Sequence, residues 1–142
     1  MQNATKSIQH EQPLTGVVLD TIAITKRLFN EVKTTGVIEN DWSPLAALVA
    51  VDEFVWVSPT YEQLNWQEYI AYLTGWAQTV IWRPTIQRIH QWQNIVYLEH
   101  EEQSTIGDRV DVSYCVSIYE FNDAGKIRRM ANYQQQRPSL GL

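Results

Sequence analysis

The apolar residues between positions 14 and 34 recur at the three- and four-residue spacing of a helix. This period predicts an amphipathic helix that ends near Gly36, because glycine commonly follows the last turn of a helix. The stripe that this helix would bury comprises Val18, Ile22, Phe29 and Val32. A second, shorter helix is predicted over PLAALVA, with Ser43 as its N-cap and Pro44 in its first turn.

The next apolar run has the composition of a strand. EFVWVS, residues 53–58, is rich in β-branched and aromatic residues and ends at Pro59. Asn65, with Glu68 three residues further on, then forms an imperfect capping box, because Asn stands where Ser or Thr is usual. This motif predicts a helix over residues 66–80.

From Trp82 onward the pattern predicts strand after strand, over residues 84–92, 94–106, 109–121 and 126–135. Helices followed by a run of antiparallel strands are typical of an α+β fold. In such a fold the helices lie on one side of a curved sheet.

Two turns predict which strand residues lie opposite each other. Gly107-Asp108 has the Gly-X form of a two-residue hairpin loop, which pairs His100 with Cys115. FNDAGKI suits a four-residue loop with Gly125 in the left-handed conformation, which pairs Asn132 with Cys115 as well. A three-residue second loop would turn the last strand over, so the position of Asn132 depends on the length of that loop.

The two faces of the strand over residues 109–121 differ in character. The apolar face carries Val110, Val112, Tyr114, Val116 and Ile118, whereas the other face meets His100 and Glu102 of the neighbouring strand. Two assignments are open. Either the apolar face is the core and the polar residues face water, or the polar face lines a cavity under the helices and the apolar face is a subunit interface.

Composition narrows the setting of the protein. A chain of 142 residues with 44% hydrophobic and 19% charged residues is typical of one domain, predicted over 14–136 between polar tails at 1–13 and 137–142. The net charge of −5 provides no basic surface for nucleic acid. Cys115 is the single cysteine, and no cysteine and histidine cluster has metal-site spacing, so no metal is expected. No stretch resembles a signal peptide or a membrane span, so we expect a cytoplasmic protein.

Four segments resemble the nuclear transport factor 2-like superfamily, above all its SnoaL-like and limonene-epoxide-hydrolase-like branches. They are ND (40–41), VDEFVWVSP (51–59), VYLEHEE (96–102) and YEFNDAGKIRRMANY (119–133). The resemblance covers about residues 15–135 and implies a cone-shaped, cystatin-like α+β barrel, with helices packed on the concave face of a curved antiparallel sheet. In this superfamily the concave face lines a ligand cavity and the convex face commonly pairs subunits. The resemblance therefore favours the second assignment and implies a homodimer through Val112, Tyr114, Val116 and Ile118.

The resemblance does not carry over a complete catalytic set. Epoxide hydrolases of this fold use two acids joined by an arginine. The matching positions here hold His100 in place of the arginine, Glu102 as the proton donor and Asn132 in place of the water-activating acid. An amide cannot take a proton from water. The catalytic carboxylate of the ketosteroid isomerases corresponds to Val57 or Ser58, and neither can replace it.

A histidine and a carboxylate remain on one strand. His100 is a candidate general base or acid near neutral pH, and Glu102 lies about 6–7 Å along the strand, where it can reach the imidazole or hold a raised pKa. Asn132 is the third candidate catalytic residue, because its amide can orient a substrate. The candidate substrate-binding residues are Trp56, Ser58, Leu98, Ser113, Cys115, Ser117, Tyr119 and Met130. The alternative is a buried structural pair of His100 and Glu102.

The sequence therefore predicts cofactor-independent acid/base chemistry on a small hydrophobic molecule, polyketide- or terpenoid-like, by cyclisation, isomerisation, dehydration or hydrolysis. SnoaL-like cyclases, which the chain resembles, use a histidine and a carboxylate in this way. The alternative function is a non-catalytic binding or assembly module, which the amide at Asn132 favours. Of the six tryptophans, only Trp56 and Trp76 are expected near the cavity.

Overall fold

A computed structural model describes residues 12–35 and 41–137, over which the chain forms three helices and six strands. The helices are α1 (Leu14–Thr35), α2 (Ser43–Ala46) and α3 (Trp66–Thr79). The strands are β1 (Val55–Val57), β2 (Gln63–Leu64), β3 (Ile81–Trp92), β4 (Ile95–Ile106), β5 (Arg109–Phe121) and β6 (Ile127–Gln136). Gly36 and most of the two predicted tails lie outside the described residues. None of the described helices is long and apolar enough to span a bilayer.

The strands form one curved sheet that does not close on itself, in the order β2-β1-β6-β5-β4-β3. Neighbouring strands are antiparallel except β1 and β6, which are parallel. The predicted α+β fold is confirmed. The two-residue strand β2 has no signal in the sequence, because it is too short to show a period.

Helix α1 is confirmed with its predicted stripe. Val18, Phe29 and Val32 are buried, and Ile22 is partly buried against both apolar clusters of the core. One cluster packs between α1 and the middle of the sheet, and the other joins α1, α2, α3 and the first residues of β3. Helix α1 therefore connects the two halves of the core.

Helix α2 is shorter than predicted and has a different cap. Trp42 is its N-cap, while Ser43 is the first helical residue and hydrogen-bonds to the side chain of Asp41. The helix ends at Ala46 because the following residues join the sheet through backbone hydrogen bonds to Ile127.

Helix α3 begins with the predicted capping box. The backbone N–H of Glu68 donates to the Asn65 side chain at 2.9 Å, and the backbone N–H of Asn65 donates to the Glu68 carboxylate at 2.9 Å. The chain turns extended at Val80, and β3 starts three residues earlier than predicted. Pro84 lies in β3, an edge strand, which is where a sheet tolerates a residue without a backbone N–H.

The first hairpin has the predicted register. Gly107 adopts a positive φ of 60° in the two-residue loop, and Gly125 adopts 75° in the next turn. The confirmed pairs are His100 with Cys115, Glu102 with Ser113, and Leu98 with Ser117.

The predicted register of the second hairpin is wrong by two residues. Asn132 lies opposite Ser117, and Met130 lies opposite Tyr119. The turn is one residue longer than predicted, and a bulge at 120–121 adds the second residue of the shift. Since side chains alternate with a period of two, the shift leaves Asn132 on the expected face.

The helices cover the polar face of the sheet. His100, Ser113, Cys115 and Ser117 are buried beneath them, whereas Val110 on the opposite face is 53% exposed. The second assignment of faces is therefore correct: the mixed polar face lies inside the molecule, and the apolar face of β5 lies outside.

We expect Asn65→Ala to lower the free energy of unfolding by about 1 kcal/mol, because the first turn of α3 loses a capping acceptor. Urea denaturation followed by circular dichroism measures the change. Gln67→Ala, an exposed substitution in the same turn, is the control and should leave stability within about 0.5 kcal/mol of the wild type. Equal losses in the two variants would contradict a role for the cap.

Candidate active site

A cavity of about 160 Å³ lies between α1, α3 and the covered face of the sheet. An engineered protein cavity of about 150 Å³ accommodates benzene, so this volume suits a molecule about the size of one ring. Pro59, Tyr72 and Gln134 line the cavity and are also exposed, which places its mouth beside them.

Nine aromatic side chains line the cavity: Phe29, Phe54, Trp56, Trp66, Tyr69, Tyr72, Trp76, Trp82 and Tyr119. The ring centroids of Trp56 lie 5.1 Å from Tyr69 and 4.8 Å from Tyr72, and Tyr72 stacks on Trp76 at 6.2 Å. The expectation that only Trp56 and Trp76 approach the cavity is wrong, because Trp66 and Trp82 line it as well.

A chain of hydrogen bonds crosses β1, β6, β5 and β4 on the polar side of the cavity. The Trp56 indole N–H donates to Asn132 Oδ1 at 2.5 Å, and Asn132 Nδ2 donates to Ser117 Oγ at 2.6 Å. Ser117 Oγ lies 2.8 Å from His100 Nε2. Because an indole can only donate, the orientation of the Asn132 amide is fixed. The Ser117 hydroxyl, which accepts from Asn132, can donate its own proton to His100 Nε2, and in that arrangement the imidazole proton lies on Nδ1.

His100 Nδ1 faces the carboxyl group of Glu102. The distance to Glu102 Oε1 is 3.6 Å, beyond a hydrogen bond, and Nδ1 has no other partner among the described residues. Ser117 thus fixes the imidazole through Nε2, while Nδ1 faces the carboxyl group without a hydrogen bond.

Burial shifts the pKa values of His100 and Glu102 in opposite directions. It lowers the pKa of His100 to about 4 and raises the pKa of Glu102 to about 7, because both charged forms lose hydration. The Trp82 indole N–H opposes part of the rise at Glu102, although its geometry falls short of a full hydrogen bond. The expectation that His100 titrates near neutral pH is therefore corrected: His100 is neutral there, and Glu102 is the group that titrates.

The other ionisable groups of the cavity stay protonated. Burial, with a smaller effect of the Glu102 charge, raises the pKa of Cys115 to about 12. Burial also raises the pKa of Tyr69, Tyr72 and Tyr119 above the usual phenol range.

His100, Glu102 and Cys115 could together offer a metal ion one nitrogen, one oxygen and one sulfur within 4.8 Å of one another. The donor set is a poor fit, because a cysteine binds metals as thiolate and the pKa of Cys115 is raised. His100 Nε2 is also engaged with Ser117. That the chain needs no metal or cofactor stays a prediction.

Most of the predicted site residues line this cavity. They are His100, Glu102, Asn132, Trp56, Cys115, Ser117, Tyr119 and Met130. Their catalytic and binding roles stay predictions.

Three predicted substrate-binding residues are buried elsewhere and do not line the cavity. Ser58 Oγ accepts hydrogen bonds from backbone N–H groups in the turn after β1, and Leu98 packs inside the apolar core. Ser113 lies beyond the cavity, near the end of β6, where it bonds to Gln134 and Gln136.

The sequence interpretation missed the contribution of α3. Tyr69, Tyr72 and Trp76 line the cavity, and their spacing of three and four residues marks one face of a helix. That spacing was available in the sequence. The contributions of Ser104 and Gln134 had no comparable signal, because they depend on the curvature of the sheet.

No protein-family model matches the sequence, and no curated protein matches it. Among solved structures, AclR, a putative hydroxylase from Streptomyces galilaeus, is 14% identical with a TM-score of 0.69, over 90% of this chain and 82% of that one. An NTF2-like protein from Burkholderia xenovorans LB400 is 16% identical with a TM-score of 0.67, over 88% and 91%. IdmH, a putative polyketide cyclase from Streptomyces antibioticus, is 17% identical with a TM-score of 0.61, over 82% and 90%.

These similarities extend over most of each chain, and the low identities limit what they establish to the architecture. The element order and the helix-covered sheet agree with them. The chain therefore has the nuclear transport factor 2-like fold, as its sequence resemblance predicted.

Proposed function

We propose that the protein is a cofactor-independent acid/base enzyme in which Glu102 moves a proton on a small hydrophobic carbonyl compound. The observation that carries this proposal is a carboxyl group inside a cavity walled by aromatic side chains, where burial raises its pKa to about 7. A group with a pKa near the working pH is populated in both forms and is effective as base and as acid. Structural carboxylates on a protein surface have no such pKa.

The reaction begins with ionised Glu102. Its carboxylate takes a proton from the carbon next to the substrate carbonyl, and the C–H electron pair moves into the enolate. The Trp82 indole N–H approaches the Glu102 carboxyl group and opposes part of the rise in its pKa, so it favours the ionised form from which the reaction starts. Protonated Glu102 then returns the proton to a different carbon, which isomerises the substrate, or to a departing hydroxyl, which dehydrates it.

His100 acts on Glu102 as a positioning residue. Ser117 fixes the imidazole through Nε2, and the Nδ1 proton points at the carboxyl group 3.6 Å away. A neutral imidazole can donate a hydrogen bond to the carboxylate without neutralising its basicity by a full positive charge.

The similar structures support a role in small-molecule chemistry. AclR and IdmH are described as a putative hydroxylase and a putative polyketide cyclase. A polyketide- or terpenoid-like substrate stays part of the proposal, and the cavity volume of about 160 Å³ favours its smaller, single-ring members.

Hydrolysis of epoxides is disfavoured by the hydrogen bonding of Asn132. An amide cannot take a proton from water, and Asn132 Oδ1 already accepts the Trp56 N–H, so the residue cannot replace the water-activating acid. The same satisfied network favours the second candidate function, a binding module without turnover, because every member except His100 Nδ1 is engaged within the protein.

We also propose that the exposed face of the sheet pairs two copies of the chain. Val112, Tyr114, Val116 and Ile118 lie on this face, and Tyr97 and Tyr133 are their exposed neighbours on β4 and β6. Glu99 and Glu101 of β4 interrupt this apolar surface, which is otherwise the kind of patch that marks an interface.

Val116→Asp tests this assembly, because a dimer through β5 would bury an unpaired charge. We expect light scattering to give a dimer for the wild type and a monomer or aggregate for the variant. Glu120→Gln, on the same strand near its end, is the control and should remain dimeric. A monomeric wild type at micromolar concentration would rule the interface out.

Glu102→Gln tests the proton transfer. In D₂O, the wild type should catalyse exchange of the α-hydrogens of small cyclic ketones, with a rate that rises with pH and levels off above about 7. The variant should catalyse the exchange about 10²–10⁴-fold more slowly, because an amide is not a base. Proton NMR of the ketone signal measures the exchange.

Glu101→Gln is the matched control for that experiment, because Glu101 neighbours Glu102 in sequence and its side chain points to the other face. It should exchange at the rate of the wild type. Binding of the same ketones by wild type without any exchange would support the binding module instead.

The pair also predicts an unusual pH dependence of stability. The pKa of Glu102 is raised from 4.5 to about 7, so its stabilising contribution is present at low pH and is lost as pH rises through that range. The pKa of His100 is lowered from 6.5 to about 4, so its contribution is present above pH 6.5 and is lost as pH falls. Between pH 4.5 and 6.5 the two slopes oppose each other, and the wild type should be nearly insensitive to pH.

Single variants should reveal each slope. His100→Gln should lose about 2–3 kcal/mol of unfolding free energy between pH 4.5 and 6.5, and Glu102→Gln should gain a similar amount. Urea denaturation at three pH values across this range provides the measurement. Parallel pH profiles for wild type and both variants would show that the two groups are not desolvated as described.

A further inference from the structure

The cavity has an unbalanced set of charges. Among the described residues that line it, Glu102 is the sole carboxylate, and none is a lysine or an arginine. His100 faces Glu102 but is neutral at pH 7, because burial lowers its pKa to about 4. Buried ionised groups in proteins are normally paired, and an ionised Glu102 has no charged partner among the residues that the structure describes.

The surroundings of this carboxyl group are aromatic. Tyr69, Tyr72 and Tyr119 line the same cavity as Glu102. Burial, with a smaller effect of the Glu102 charge, raises the pKa of all three. Trp56 packs against Tyr69 and Tyr72, and Trp76 stacks on Tyr72, which extends the aromatic wall. The face of each ring carries negative potential, so the wall adds to the potential of the carboxylate.

We propose that the cavity selects small hydrophobic cations: protonated or quaternary amines whose nitrogen lies against the aromatic wall with Glu102 as counter-ion. This proposal names a substrate class for the proposed function. It rests on that function because both require the ligand to contact Glu102.

Size and charge point to the same ligand. A cavity of about 160 Å³ accepts one ring with a small substituted nitrogen. An alkylated ammonium is weakly hydrated, so the aromatic wall replaces its hydration at small cost, whereas an anion would meet the carboxylate. In an amino ketone, the cationic nitrogen would also withdraw electrons from the carbon that Glu102 deprotonates.

The test compares two probes of the same shape, trimethylphenylammonium and its neutral isostere tert-butylbenzene. At pH 8 we expect the wild type to bind the cation about tenfold more tightly, the range of a desolvated cation–π contact. Quenching of tryptophan fluorescence or NMR titration measures both affinities. Equal or tighter binding of the neutral probe would overturn the proposal.

The affinity for the cation should also fall about tenfold from pH 8 to pH 6, because Glu102 must be ionised, whereas the neutral probe should show no change. The groups around Glu102 do not titrate in this interval: the pKa of His100 is about 4 and that of Cys115 about 12. The pKa of Tyr69, Tyr72 and Tyr119 is raised, and Trp82 does not ionise. A pH-independent affinity for the cation would overturn the role of Glu102.

Two variants complete the design. Glu102→Gln should remove the preference for the cation and its pH dependence, while Glu101→Gln should retain both. Near-ultraviolet circular dichroism of the tryptophans confirms that each variant is folded. Exchange of neutral ketones without any preference for the cation would leave the proposed function standing and refute this inference. A preference for the cation without exchange of any carbonyl compound would support this inference and refute the proposed function.

Discussion

Two helices cover a sheet face that carries an imidazole and a carboxyl group two residues apart, and the loss of water there governs the chemistry of the site. Burial disfavours the charged form of each group, which moves the pKa of His100 down and that of Glu102 up until the order of the two is reversed. The carboxyl group is therefore the member of this pair that titrates near neutral pH, and it is the proposed base. The histidine, the residue that usually titrates there, stays neutral beside it.

The hydrogen-bond chain from Trp56 to His100 has a fixed direction because its first member has a proton to give and no lone pair to accept one. Asn132 accepts from Trp56 and donates to Ser117, whose hydroxyl meets His100 Nε2. The network thus joins residues on four strands and fixes the position of the imidazole ring. Such a network fixes geometry well, and it leaves Asn132 unable to act as a base.

The aromatic wall gives the cavity its size and its electrostatic character. Helix α3 brings Tyr69, Tyr72 and Trp76 to the site, and its capping box fixes where that helix starts. The core and the cavity thus share side chains: Trp56 and Tyr119 belong to an apolar cluster and also line the cavity. Substitutions of these residues would change stability and ligand binding together.

The sequence alone determined the fold, the first hairpin register and the presence of His100, Glu102 and Asn132 on one face. These features depend on local periodicity, on turn chemistry and on alternation along a strand, and residues close in sequence determine all three. Tertiary structure decided the rest. A longer turn and the bulge at 120–121 together moved the partner of Asn132 by two residues, and this even shift preserved its face. Leu98 shares a face with His100 but packs into the core, because helix α1 covers that part of the sheet. The pKa values of His100 and Glu102 depend on burial by distant helices, which no local pattern encodes.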